Sequence, residues 1–156
     1  MRRFALPLFA MLALTLGIFM LNYPAEAGSV EDVSARFDSY ITAQNDHDLK
    51  AVEAHLVKSE KFLWLRGTVM SLGSEAALSA FAEVHKGTWK MTPVRGDLKA
   101  VEISTGVVQV VVPVVVTAGA KGAAAQDSLV LVTQIYVKSG SSWRIASIVT
   151  SPMITG

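Results

Sequence analysis

Apolar positions in the first third of the sequence recur at helical spacing. Over residues 30–46, Val30, Val33, Phe37, Tyr40, Ile41 and Gln44 return at steps of three and four, which places them on one face of a helix. Glu31 and Asp32 are expected in its first turn, at the positive end of the helix dipole. The run "NDHD" breaks the pattern, and Asp48 is a natural N-cap for a shorter helix reaching Val57, with Leu49, Val52 and Leu56 as its stripe. "KFLWLRG" then reads as a strand, Gly67 as a turn and "TVMSLG" as the return strand of a hairpin. Ser74 is suited to cap a third helix, with Leu78, Phe81 and Val84 or His85 on one face and Gly87 as a terminating glycine.

Beyond Thr88 the period changes. "TWKMTPV", "DLKAVEIS", "VVQVVVPVVVTA", "SLVLVTQIYVK" and "WRIASIVTS" are five strand-like runs, mostly separated by Gly, Pro, Ser or Asp, with "GAKGAAAQD" as the longest loop. The segment Val107–Val116 holds eight valines in ten positions. It is too short to span a bilayer as a helix, which takes about 20 residues, and valine's branched Cβ favours an extended strand. Its polarity does not alternate, so cover on both faces is expected. Pro113 cannot donate a ladder hydrogen bond and predicts a bulge or an edge position there, and so a bent sheet. An apolar rear face invites association. A homodimer through the sheet face is therefore expected, ahead of a monomer whose valine strand is simply central.

Helices ahead of antiparallel strands, with no internal boundary or repeat, argue one α+β domain. Its first residues do not belong to it. Arg2 and Arg3, an uncharged apolar run from Phe4 to Leu21, and Ala25-Glu26-Ala27 have the form of a signal peptide. Cleavage is expected after Ala27, which leaves residues 28–156 as the domain, in the periplasm or secreted; an uncleaved anchor is the alternative. The whole sequence carries a formal charge of +1, and loss of Arg2, Arg3 and Glu26 makes the domain neutral. Neutrality argues against nucleic acid and against an anionic membrane surface as partners. With no cysteine in the sequence, the domain relies on core burial, without disulfide or thiolate metal site.

These elements in this order resemble the nuclear transport factor 2-like superfamily, including its ketosteroid-isomerase-like and polyketide-cyclase-like (SnoaL-like) branches. The resemblance rests on the amphipathic helices, the hairpin ending in Gly67, "GSEAALSAF" from Gly73 and the terminal "WRIASIVTS", and covers most of Val30–Met153. It implies a curved antiparallel sheet wrapped over about three N-terminal helices into a cone with an apolar pocket at its wide end, and often a dimer. Two departures matter. Isomerase-like members carry an acidic base shortly before the hairpin glycine, where this chain has Trp64 and no nearby carboxylate. Many hydrolase- or cyclase-like members have histidines in the last strand, where this chain has Ser147 and Val149, while Trp143, Ile145 and Ser151 fit.

The remaining candidates each have two readings. Tyr40 is either packed core or, as the resemblance implies, a hydrogen-bond donor to a developing oxyanion. His85 is a general base facing a pocket or a cation at a helix C-terminus. Trp64, Trp89 and Tyr136 are pocket wall or core. Arg66 and Glu102 orient a ligand, pair, or lie in solvent. Gln109 and Gln134, set among aliphatics, need partners at a pocket mouth, in an interface or in each other. His47, His55 and His85 lack neighbours at metal-ligand spacing, so no metal is expected. There is no phosphate loop and no nucleophile elbow, and no cofactor is expected.

The sequence reads as an exported, non-catalytic module that holds a small, largely apolar molecule or a peptide segment, with Tyr40, Trp64, Arg66, His85, Trp89 and Gln134 at its wall. One alternative is an enzyme of isomerase, dehydratase or cyclase type, with His85 as base and Tyr40 as oxyanion donor. Another is a structural subunit with a filled cone.

Overall fold

Each periodic segment of the sequence forms its element in the computed structural model, which describes residues 27–153. Three helices, α1 (Ala27–Asn45), α2 (Leu49–His55) and α3 (Ser74–Val84), alternate with and then precede seven strands. The strands are β1 (Leu63–Arg66), β2 (Val69–Leu72), β3 (Thr88–Pro93), β4 (Lys99–Ser104), β5 (Val107–Gly119), β6 (Gln126–Ser139) and β7 (Ser142–Pro152). The sheet runs β2-β1-β7-β6-β5-β3, and β4 also pairs with β5. It is curved and unclosed, with the helices on one side. The expected leader lies outside the described residues, apart from Ala27, which opens α1. Among the described residues no helix is long and apolar enough to cross a membrane.

The sheet is antiparallel except at one seam, where β1 runs parallel to β7, from Leu63↔Ser147 to Arg66↔Thr150. A linear strand pattern does not reveal this pairing, because the partners lie at opposite ends of the domain. It has a consequence for the site: the β1–β2 hairpin is carried to the last strand and closes the wall beside β7.

The valine strand follows a simpler rule than expected. Val108, Val110, Val112, Val114 and Val116 are buried, while Val107, Gln109, Val111, Pro113 and Val115 between them are half-buried. Burial alternates although polarity does not. The inner face packs on the helices, and the outer face stays partly open in a single protomer. Pro113 also makes no bulge, since the β5–β6 register runs unbroken from Val107↔Val137 to Ala118↔Gln126. On its other side β5 meets two short strands, β4 up to Val111 and β3 from Val114. Pro113 sits between them, and its carbonyl accepts from the Val94 N–H at 2.8 Å. In a strand the N and C=O of one residue point the same way, so the missing donor faces the gap between β3 and β4. Register shifts occur elsewhere, at Glu102/Ser104 in β4 and Ile135/Tyr136 in β6.

Helix boundaries also differ in detail from the sequence reading. Asp48 does cap α2, its side chain accepting from Ala51 N–H at 2.9 Å. For α3 the N-cap is Gly73, at φ +91°, and Ser74 is the first helical residue. The Ser74 hydroxyl instead accepts from Ser59 N–H at 3.2 Å, tying the helix start to the loop before β1. Glu31 and Asp32 fall past the first turn, because α1 begins earlier, at Ala27. Gly87 is not a left-handed cap. It is glycine because a Cβ there would stand 2.0 Å from the Gly119 carbonyl oxygen, so the end of α3 presses backbone to backbone on the end of β5.

The core fills the space between the helices and the inner sheet face, with Phe37, Phe62, Phe81, Tyr40 and Tyr136 as its largest fully buried rings and Trp64 and Trp143 buried beside them. α1 is pinned at its middle and at its C-terminal end. Arg36 donates from Nε to Trp143 O at 3.2 Å and from Nη2 to Ala54 O at 2.8 Å. Asn45 acts as a backbone surrogate against β3: Oδ1 accepts from Met91 N–H at 2.7 Å and Nδ2 donates to Met91 O at 3.0 Å. The Gly87 contact gives a direct test. Gly87→Ala forces two backbones apart and is expected to lower stability by roughly 3 kcal/mol, measured by urea unfolding.

Candidate functional site

A cavity of about 230 Å³ lies between α1, α3 and the inner face of β1, β3 and β5–β7. Trp64, Phe81, Trp89, Met91, Val116, Val130, Val132 and Ile148 make its wall apolar. Tyr40, Arg66, Ser128 and Thr150 are polar residues of the lining, and Ala118 completes it. Trp64 is held against Phe81, ring centroids 4.0 Å apart at 24°, so β1 and α3 present a rigid aromatic surface. Of the residues singled out from the sequence, Tyr40, Trp64, Arg66 and Trp89 line this one cavity. His85 and Gln134 stand behind it, outside the ring of lining side chains.

A buried amide organises the polar side of the site. Gln44 is fully buried. Its Oε1 accepts from Trp89 Nε1–H at 3.1 Å and from His85 Nε2 at 2.9 Å. An indole nitrogen can only donate, so the oxygen of the amide must face Trp89. Its Nε2 is then turned to Tyr40, where it donates to the hydroxyl oxygen at 2.9 Å. The same logic sets His85: to bond that oxygen its Nε2 must carry the proton, which leaves Nδ1 bare. That Nδ1 is buried, without a partner among the described residues. The Tyr40 oxygen accepts from Gln44, so its own proton remains available to an acceptor in the cavity. Gln44 was legible only as part of an apolar stripe; its signal was a polar residue on a buried helical face.

His47 completes the group. It holds φ +56° in the turn between α1 and α2, stacks on His85 at 4.6 Å and 8°, and its Nε2 lies 3.0 Å from Trp89 O. Burial, and then the neighbouring His47, depress the His85 pKa, so His85 is neutral near pH 7. Burial likewise pushes the Tyr40 hydroxyl up, partly offset by its Gln44 bond, and it stays protonated. Deeper in the core Tyr136 donates to Gln134 Oε1 at 2.7 Å, while Gln134 Nε2 has no partner among the described residues. Gln109 does not meet Gln134: Gln109 pairs with Val101 and Ile135 on the outer face, and Gln134 with Val110 and Ile148 on the inner one. Glu102 lies away from the cavity, accepting from Ser29 Oγ at 2.8 Å. Among the described residues no cluster of three or more acidic, histidine or cysteine side chains has metal-binding geometry.

His55, buried at the end of α2 with its ring edge toward Tyr40 at 5.8 Å, has its pKa lowered from 6.5 to about 4 by burial, then by Arg36 and Arg144. A depressed folded-state pKa means that the unfolded chain binds the proton more readily. The contribution is intact above pH 6.5 and is lost as pH falls toward 4. Replacing His55 with Leu is expected to flatten the decline of Tm across that interval, as followed by thermal unfolding at a series of pH values. His85 leaves a residual slope of the same sign.

Comparison with known proteins places this geometry. A nuclear transport factor 2-like superfamily protein from Salmonella enterica serovar Typhimurium superimposes with a TM-score of 0.71 at 12% identity, over 83% of this chain and 95% of that one. A ketosteroid isomerase-like protein from Erwinia carotovora atroseptica gives 0.67 at 20% identity, over 83% and 99%. An uncharacterised protein with a cystatin-like fold from Caulobacter vibrioides gives 0.68 at 15% identity, over 80% and 89%. At these identities the likeness concerns the fold alone. A search of curated proteins finds no match in sequence. The model of the SnoaL-like domain matches residues 33–155, and the chain belongs to that family, within the nuclear transport factor 2-like superfamily.

Proposed function

We propose that the domain is a non-catalytic binding module that takes a small, largely apolar molecule into the cavity of its cone. One observation carries this reading. The thirteen lining residues form an aromatic and aliphatic wall that includes no carboxylate and no histidine. Such a wall offers contact area and two or three hydrogen bonds, the usual composition of a small-molecule pocket. It offers no group that exchanges a proton near neutral pH. An open cavity also counts against a structural subunit with a filled cone. The leader-like residues 1–27 support placing the module in the periplasm or outside the cell.

An enzyme of isomerase, dehydratase or cyclase type remains the second reading, because the Tyr40 hydroxyl has a proton to donate at the cavity wall. His85 is poorly placed as its base: Nε2 is committed to Gln44 and Nδ1 is buried.

We also propose that two copies pair through the outer sheet face. Val101 and Ile103 are each 55% exposed, and Val107, Val111, Val115, Leu131, Ile135 and Val149 are half-buried on the same side. The expected mass in solution is that of a dimer, and Leu131→Glu is expected to give monomers by light scattering with Tm retained. A wild-type monomer at micromolar concentration would overturn the pairing.

Two of the three tryptophans line the cavity, so binding is readable in intrinsic fluorescence. Octan-1-ol is expected to change the emission saturably. Val130→Phe, which fills the cavity, is expected to abolish that change while Tm holds or rises. An unsaturable response, or one unaffected by Val130→Phe, sinks the binding reading.

A further inference from the structure

Arg66 joins two spaces. The last residue of β1, it lines the apolar cavity and also an open groove of about 510 Å³ over the end of α3 and the β5–β6 hairpin. Trp89 and Ala118 are common to both as well. Lys86 and Lys121 line the groove together with Arg66, and Glu83 is its one carboxylate. Glu83 is already engaged by Lys86 at 2.6 Å. Among the described residues, neither Arg66 nor Lys121 has a carboxylate within ion-pair distance. The Arg66 guanidinium rests instead over the Trp64 ring, 5.0 Å from its centroid. A half-buried guanidinium with rigid, unmatched donors, stacked on the wall of an apolar cavity, is arranged to receive a planar anion.

We propose that cavity and groove form one site for a monoanionic amphiphile. The apolar body of a carboxylic acid enters the cavity, and its carboxylate stays at the mouth between Arg66 and Lys121. This rests on the reading of the cavity as a ligand site and names the ligand class. The size of the body follows from the volume: 230 Å³, at about 30 Å³ per water-sized group, holds on the order of eight such groups, the length of a medium-chain acid or a substituted single ring. Tyr40 and Thr150 are polar residues of the lining, suited to a ligand that carries an oxygen along its body.

Sodium octanoate and octan-1-ol, titrated against the protein with tryptophan emission as the readout, share one tail and differ in charge. Octanoate is expected to bind at least about tenfold more tightly. Arg66→Gln is expected to close the gap between the two, Arg66→Lys to restore part of it, and added salt to narrow it. Lys121→Gln, on the exposed hairpin, is expected to reduce the gap by a smaller factor and carries the test should Arg66→Gln fail to fold. Octan-1-ol binding as tightly as octanoate overturns the anion assignment and leaves the binding reading standing. Octanoate affinity indifferent to Arg66, Lys121 and salt, or to Val130→Phe, also overturns it. If neither probe binds saturably, both readings fall together.

Discussion

The Gln44 amide has no water to turn to, and the geometry of the cavity depends on how that need is met. A buried amide that leaves a donor or acceptor unpaired costs about 1–3 kcal/mol for each such group. Gln44 meets the requirement by drawing in one group from each of three elements: Tyr40 on its own helix, His85 at the end of α3 and Trp89 on β3. Because the indole can only donate, the whole chain of bonds has a single direction. That direction fixes which nitrogen of His85 is protonated and which way the Tyr40 hydroxyl is free to donate. The mouth of the cone is thus oriented by a residue that does not itself line it.

The same arrangement keeps the histidines out of the cavity lining. His47 and His85 lie close to the cavity and are bound up in its support, where burial and mutual proximity keep His85 neutral. The lining proper is hydrocarbon with a tyrosine, an arginine and two hydroxyls. A fold that hosts both enzymes and binders does not decide between them; the proposal of a binder rests on the composition of this lining. Arg66 and Lys121, without an ion pair among the described residues, line the groove, where a charged group keeps part of its hydration, and the apolar surface lies inside.

Much of the fold was legible in the sequence, because period alone distinguishes α1 from β5 and punctuation alone separates β3 to β7. The harder features depend on neighbours that no local pattern reveals. The valine strand looked covered on both faces because valine occupies both; which face the helices take is a tertiary choice. Gly87 looked like a helix terminator, whereas the contact that demands glycine comes from Gly119 on another element. The parallel β1–β7 seam joins residues more than eighty positions apart. At the site, Tyr40, Trp64, Arg66 and Trp89 were recognisable as aromatics and a cation at the ends of elements, and they do converge. Gln44 was not singled out, since its importance lies in the three bonds it makes.

Pro113 has a further bearing on how the chain finds its pairing. A run of valines is nearly a repeat, and sliding β5 by two residues against β3 and β4 exchanges valine for valine on the same face. Hydrophobic burial barely distinguishes the two alignments. The imino acid does. In the native alignment its lack of an amide hydrogen coincides with the break between β4 and β3, whereas a slipped strand would present it to a carbonyl left with nothing to accept. One proline in a monotonous tract thereby acts as a place-marker, letting a low-complexity strand assemble in one frame.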